Sequence, residues 1–169
     1  MNFDKELSIA QILLLNKPSI NYFGILSYGL KKIVMPSTDY KKIFRKKNCD
    51  AYGFTDGKSI TIIPDSVDGE TLNHKQLIGL IGHEITHIIS NHLVRREQRI
   101  PELWNIACDH VVNRIWVALS NGDSGEYVSL PKGFIFFEDL HNSNPKITAE
   151  ETYLWLEKNS KVNKNGESN

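Results

Sequence analysis

Apolar residues recur at steps of three and four over most of the 169-residue chain. This spacing places side chains on one face of a helix, and it predicts helices over residues 4–16, 19–29, 71–93 and 102–119. A capping box at residues 148–151 predicts the start of a further helix that ends near Leu156. The chain is therefore expected to be mostly helical.

Two short runs of β-prone residues interrupt the helical pattern. Residues 51–55 and 59–63 flank Asp56-Gly57, a dipeptide typical of a tight hairpin turn. Residues 30–35 are compatible with a strand or with the end of a helix. Together these elements predict an α+β fold that is mostly helical, with a small sheet or hairpin beside the helix over residues 71–93.

Charge and length narrow the class of protein. Twenty Lys and Arg balance twenty Asp and Glu, so the chain lacks the basic field that concentrates nucleic acid or anionic membranes. The basic run at residues 40–47 is accordingly predicted to be a solvent-exposed face or loop. We expect one domain over residues 1–157 and a disordered polar tail over residues 158–169.

The chain also lacks the patterns of exported and membrane proteins. No apolar stretch approaches the roughly 18 residues of a spanning helix, and charged residues occupy the start of the chain, where a signal peptide would be apolar. Cys49 and Cys108 lie far apart, as expected of reduced thiols. We therefore expect a soluble, cytoplasmic protein that contacts neither nucleic acid nor membrane directly.

The run His83-Glu84-Ile85-Thr86-His87 is an HExxH motif within the long predicted helix. Residues four apart on a helix differ by about 40° in direction, so His83 and His87 can present two imidazoles to one Zn²⁺. Glu84 points about 100° from His83 and can reach a water on that metal. The motif predicts metal-assisted hydrolysis with Glu84 as the general base.

A catalytic zinc needs a third protein ligand and an open fourth position. Asp109 is the strongest candidate, because it lies 22 residues after His87 on the next predicted helix, which can return antiparallel to the first. His92 would point about 140° from His87 on a continuous helix and is predicted to be a cap or surface residue. Cys108 and His110 flank Asp109, but each points about 100° from it.

The neighbours of Asp109 have predicted roles of their own. Cys108 lies among apolar residues and is expected to be a small core residue. Asn113, four residues after Asp109, either orients a metal ligand from behind or is a surface residue. Tyr127 and His110 are possible donors to the charge that develops during hydrolysis, although spacing supports neither.

Residues 82–113 resemble the zinc metallopeptidase domain found N-terminal to von Willebrand factor A-like domains in bacterial proteins. That family combines an HExxH motif, a His a few residues on, an Arg-containing turn and a W-N-x-A-x-D-x-x-x-N segment. In this chain they correspond to residues 83–87, His92, Arg95-Arg96 and residues 104–113. The similarity extends back through the hairpin and forward to residues 130–133 and 149–153.

This resemblance implies a zincin-like fold in which His83, His87 and Asp109 bind zinc. In zincins the edge strand of a small sheet pairs with an extended substrate, and residues 51–55 or 59–63 would supply that edge. The alternative is a sheet that only covers the helix. The chain ends where the von Willebrand factor A-like domain would follow, so we expect a separate partner protein in its place.

Two hypotheses of different class follow. The first is a zinc-dependent metallopeptidase that hydrolyses a peptide or protein substrate, with a protease that cuts a regulatory protein as a special case. The second is a catalytically silent, zinc-stabilised protein-binding module on the same scaffold.

Overall fold

The computed structural model describes residues 2–49, 51–65 and 71–165, which form a mostly helical α+β fold. The helices are α1 (Phe3–Asn16), α2 (Asn21–Tyr28), α3 (Ser37–Phe44), α4 (His74–Ile89), α5 (His92–Arg95), α6 (Pro101–Asn121), α7 (Glu138–Ser143) and α8 (Ala149–Asn165). The strands are β1 (Lys31–Val34), β2 (Gly53–Thr55) and β3 (Ser59–Ile62).

The predicted helices are present, and two of them end more than three residues from the predicted end. The helix α4 ends at Ile89 rather than at residue 93, because Asn91 adopts the left-handed conformation with φ of 55°. The helix α8 continues to Asn165, so residues 158–165 are helical rather than a disordered tail. No Pro or Gly interrupts it before Gly166. The tail predicted for residues 166–169 lies outside the described residues.

Three further helices, α3, α5 and α7, were not predicted. The basic run lies largely on α3, where Tyr40 is buried and Lys42 is exposed, and its last residues, 45–47, lie in the exposed loop that follows. The prediction of an exposed face or loop is confirmed. The six-residue α7 follows the apolar residues 134–137. Such short helices carry too few turns for a periodic signal.

The sheet has the strand order β1-β3-β2. The central strand β3 pairs in parallel with β1 and antiparallel with β2. The hairpin predicted around Asp56-Gly57 is confirmed, with Gly57 at a φ of 85° and Asp56 Oδ1 accepting the Ser59 amide at 2.7 Å. Because β3 is central, residues 59–63 cannot provide a free edge on the hairpin, and β2 is the edge strand there.

The N-terminal helices support α4, the helix that carries the HExxH motif. Both α1 and α2 pack against it. Asn73 caps its first turn through a capping box with Gln76, and the Glu6 carboxylate of α1 accepts the His74 amide at 2.8 Å. A carboxylate at this position also interacts favourably with the helix dipole.

The helix α6 packs against α4 through a close contact at Gly82, the residue before the motif. A Cβ atom at Gly82 would lie 1.9 Å from the Trp116 ring, so only glycine lets the indole approach the helix. The indole Nε1–H donates to Thr86 Oγ1 at 3.1 Å, and that hydroxyl donates to the Gly82 carbonyl at 2.7 Å. This packing sets the distance between the two helices.

The helix α8 covers the far side of α6, and Tyr153 packs with Trp104 there. Arg95 of α5 binds the Glu150 carboxylate of α8 through two nitrogens, at 2.6 to 3.1 Å. Among the helices described, none is long and apolar enough to cross a membrane.

Candidate metal centre

The structure brings together the three side chains predicted to bind metal. His83 Nε2 and His87 Nε2, one turn apart on α4, are 2.9 Å from each other. Asp109 Oδ1 reaches across from α6 to within 3.1 Å of His87 Nε2 and 3.5 Å of His83 Nε2. The antiparallel return of α6 after Pro101 therefore places all three donor atoms at one point, as the spacing predicts.

These donor atoms are spaced as the ligands of one small cation. Two ligands bound at 2.0 to 2.1 Å in a tetrahedral arrangement lie about 3.3 Å apart, and the three observed distances of 2.9, 3.1 and 3.5 Å bracket that value. Among the described residues these three form the group of nearby ligand side chains able to hold a metal ion. The fourth coordination position would be left for water or substrate.

Burial and the neighbouring charges shift the pKa values of the ligand side chains in opposite directions. Burial raises the pKa of Asp109, but the hydrogen bonds with His83 and His87 outweigh it and hold that pKa below the usual range. Burial lowers the pKa of His83, yet Asp109 and Glu84 raise it above its ordinary value. The carboxylate is therefore ionised at neutral pH and can serve as a metal ligand.

Glu84 lies beside the three donor atoms without being one of them. Its side chain lines the same cleft as His83, His87 and Asp109, although only 6 % of the residue is exposed. Burial raises the pKa of the carboxyl group, while the charges of the two histidines partly oppose the rise. No described residue lies within hydrogen-bonding distance of the carboxylate. The carboxylate is therefore available to accept a hydrogen bond from a molecule in the cleft.

Asn113 orients His83, the outcome that the sequence left open. The Asn113 Nδ2–H donates to the Ile135 carbonyl at 2.9 Å, so its Oδ1 faces His83 Nδ1 at 2.8 Å. An amide oxygen only accepts, hence His83 Nδ1 carries a proton, and Nε2 is the nitrogen left to bind a metal. Asn113 is 2 % exposed, so it is not a surface residue.

Asn105 supports Asp109, a role that the sequence analysis missed. Its Nδ2–H donates to Asp109 Oδ2 at 3.1 Å, which leaves Oδ1 to face the two imidazoles. Asn105 lies four residues before Asp109 and Asn113 lies four residues after it. That symmetric i±4 spacing on one helix face is the signal that could have identified it.

His92 is not the cap or surface residue that was predicted. The turn at Asn91 directs the chain back toward α4, so that the His92 ring lies 4 % exposed with its Nδ1 3.2 Å from His87 Nδ1. The prediction assumed that only a glycine could interrupt the helix. An asparagine also tolerates the left-handed conformation, because its short side chain can hydrogen-bond locally.

The remaining candidates lie away from the donor atoms. Cys108 is a core residue, as predicted: it packs with Trp104, and burial raises the pKa of its thiol to about 12. His110 is fully buried and accepts the Phe137 amide at 3.2 Å. The Tyr127 hydroxyl bonds Ser19 at 2.7 Å. Neither His110 nor Tyr127 lines the cleft, so both are wrong as donors to a reacting group.

The metal centre opens into a cleft of about 750 Å³ between the sheet and α6. One wall comes from residues 52–55, which include β2, and another from residues 130–135. Tyr40 and Phe44 of α3 add an aromatic wall that packs against Phe54. The cleft thus has room for an extended chain beside the metal ligands.

Comparison with known proteins assigns a family to this arrangement. Residues 40–168 match the family described as "Putative metallopeptidase domain". The match covers well over half of the chain, and the chain belongs to this family. Membership indicates a metallopeptidase-like hydrolase that uses a metal cofactor, in accord with the His-His-Asp group. The same comparisons find no matching curated protein and no matching solved structure.

Proposed function

We propose that the chain is a zinc-dependent peptidase in which His83, His87 and Asp109 bind the ion and Glu84 is the general base. The observation that carries the proposal is the meeting of three donor atoms within 3.5 Å beside a buried glutamate. Two imidazoles, one carboxylate and an open position are the ligand set of catalytic zinc. A structural zinc site would instead be closed by a fourth protein ligand.

The chemistry divides between the ion and the chain. Zinc bound there would lower the pKa of a water molecule and polarise the substrate carbonyl. Glu84 would take a proton from that water and deliver it to the leaving amine. Its raised pKa suits this exchange, because a carboxylate with a pKa nearer neutrality returns a proton more readily than an ordinary one.

The edge strand β2 supports an extended peptide as the substrate. The Ile63 amide donates to the Tyr52 carbonyl at 2.7 Å, so Tyr52 directs its backbone groups toward β3. In an antiparallel pair this direction alternates, and Gly53 and Thr55 therefore direct their N–H and C=O groups away from β3. Both residues line the cleft, where these groups can pair with a substrate backbone.

A peptide-library digestion tests the proposal. Zinc-loaded protein is expected to cleave, a chelator is expected to stop cleavage, and added zinc is expected to restore it. The Glu84→Gln variant should bind zinc as the parent does but cleave about 10² to 10⁴ times more slowly. The matched control is Glu126→Gln, which changes an exposed glutamate distant in sequence from Glu84. This variant should cleave at the parental rate.

Two other results would point elsewhere. A Glu84→Gln variant that cleaves as fast as the parent would show that the proposed mechanism is wrong. A protein that binds zinc at one ion per chain yet cleaves nothing in a broad library would favour the silent binding module.

A further inference from the structure

We infer that His92 is a positioning residue for the metal centre, which fixes the tautomer and the ring orientation of His87. The inference rests on the proposed function, because it concerns how one proposed zinc ligand is held. Its basis is the contact between the two rings, whose Nδ1 atoms lie 3.2 Å apart with ring centroids at 5.1 Å and an interplanar angle of 78°.

The direction of this hydrogen bond follows from the other nitrogen of His87. His87 Nε2 faces Asp109 Oδ1 and His83 Nε2, where a metal ligand must present a lone pair. In a neutral ring the proton then resides on Nδ1, which donates to His92 Nδ1. His92 must therefore be a neutral acceptor.

The fold holds His92 from several sides. The left-handed turn at Asn91 brings the His92 side chain against His87 of α4. The indole Nε1–H of Trp104 donates to the His92 carbonyl at 2.9 Å, and the indole ring meets the imidazole edge to face. Arg95 Nη1 donates to the Ser90 carbonyl at 2.9 Å and so secures the chain just before the turn. A ring held in this way can impose an orientation on its neighbour.

Each of the three donor residues thus has an outer partner on the protein. Asn113 holds His83, Asn105 holds Asp109, and His92 holds His87. The outer partner of a metal-binding histidine is usually a carboxylate, a backbone carbonyl or water. A neutral imidazole here, like the amide of Asn113, orients its ligand without adding negative charge to the centre.

Zinc affinity of two variants tests the inference. His92→Leu removes the acceptor, and its affinity for zinc, measured by competition with a chelator, is expected to fall about 10- to 100-fold. His92→Asn places an amide oxygen near the position of the imidazole Nδ1 and should keep most of the affinity. His74→Leu removes a histidine that bonds Glu6, away from the centre, and should leave zinc affinity unchanged.

Nitrogen NMR of His87 supplies a readout that simple packing would not change. In the zinc-loaded parent, His87 is expected to bind through Nε2 and to carry its proton on Nδ1, with the downfield Nδ1–H signal of a hydrogen bond. His92→Leu should lose that downfield shift. Equal zinc affinity in the parent and His92→Leu, or equal losses in the Leu and Asn variants with an unchanged His87 Nδ1–H signal, would overturn the inference alone. A parent that takes up no zinc would overturn the proposed function, and this inference with it.

Discussion

The two sides of α4 differ in how their polar groups are satisfied. On the side of Trp116, Gly82 gives the indole room and Thr86 accepts its hydrogen bond, so every group is satisfied within the protein. On the cleft side, two imidazole lone pairs and a carboxylate converge, an arrangement that a cation completes. The first side should determine the stability of the fold, and the second should determine what the fold binds.

Loss of a metal ligand is expected to have the largest effect. Asp109→Asn keeps the shape of the side chain but removes its charge, and its zinc affinity should fall by more than about 100-fold, beyond the usual cost of losing an outer partner. Because a ligand that binds only the native state stabilises it, zinc should raise the unfolding temperature of the parent but not of this variant.

The exposed Asp139 provides the matched control. Asp139→Asn should keep the full zinc-dependent rise in unfolding temperature. A similar rise in Asp109→Asn would show that the cleft side of α4 does not hold the ion.

The opposite side of α4 is tested by adding one methyl group. Gly82→Ala places a carbon into the Trp116 ring, and overpacking of this kind costs about 1 to 3 kcal/mol. Denaturant unfolding should show this loss in the free energy of unfolding both with and without zinc.

Gly29→Ala is the matched control, because a Cβ atom there would contact only the Leu26 carbonyl, at 3.8 Å. Its stability should equal or slightly exceed that of the parent. If Gly82→Ala were as stable as Gly29→Ala, the close contact between α4 and α6 would not be the determinant of stability described above.

Asn113, the outer partner of His83, combines features of both sides of α4. It is buried, and it also hydrogen-bonds a proposed metal ligand. Asn113→Leu removes the acceptor of the His83 Nδ1–H, and zinc affinity should decrease about 10- to 100-fold. Asn159→Leu, at an exposed asparagine of α8, should not change it. Chelator competition measures both, and unchanged affinity in Asn113→Leu would remove this residue from the metal centre.

The smallest expected effect concerns the ion pair between Arg95 and Glu150, neither of which lines the cleft. Burial raises the pKa of Glu150, but the hydrogen bonds from Arg95 outweigh it and lower that pKa overall. A carboxyl group with a lowered pKa stabilises the fold above its unfolded pKa and loses that effect as the pH falls through the folded value. Because the pair is partly exposed, its contribution should be below about 1 kcal/mol.

Unfolding free energies of the parent and Glu150→Gln across acidic pH measure this contribution. The parent should be slightly more stable near pH 7, and the difference should begin to shrink below about pH 4.5 and disappear below the folded pKa of Glu150. A difference that does not depend on pH would show that the carboxylate charge is not involved.

Sequence reasoning located the three proposed metal ligands, but among the residues that hold them it suggested only Asn113. The spacing of a regular helix predicts that His83 and His87 share a face, and the antiparallel return of the next helix predicts that Asp109 joins them. Both predictions depend only on regular helix geometry. The position of His92 depends on a single left-handed residue, Asn91, which no periodic pattern shows. Asn105 was missed, although it lies four residues before Asp109, the same spacing that suggested Asn113 on the other side.

The same distinction applies to the fold. Long helices and the Asp56-Gly57 turn have strong local signals, and the structure confirms them. The sheet order has no such local signal, because the parallel pairing of β1 with β3 joins segments far apart in sequence. Only that pairing decides that β2, and not β3, provides the edge that borders the cleft.

A crystal structure of the zinc-loaded protein would show directly whether His83, His87 and Asp109 form a catalytic zinc site. We expect one ion bound by His83 Nε2, His87 Nε2 and Asp109 Oδ1 at about 2.0 to 2.2 Å, with water in the fourth position near Glu84. An ion that Asp109 does not touch, or one closed off by a fourth protein ligand such as Cys108, would contradict it.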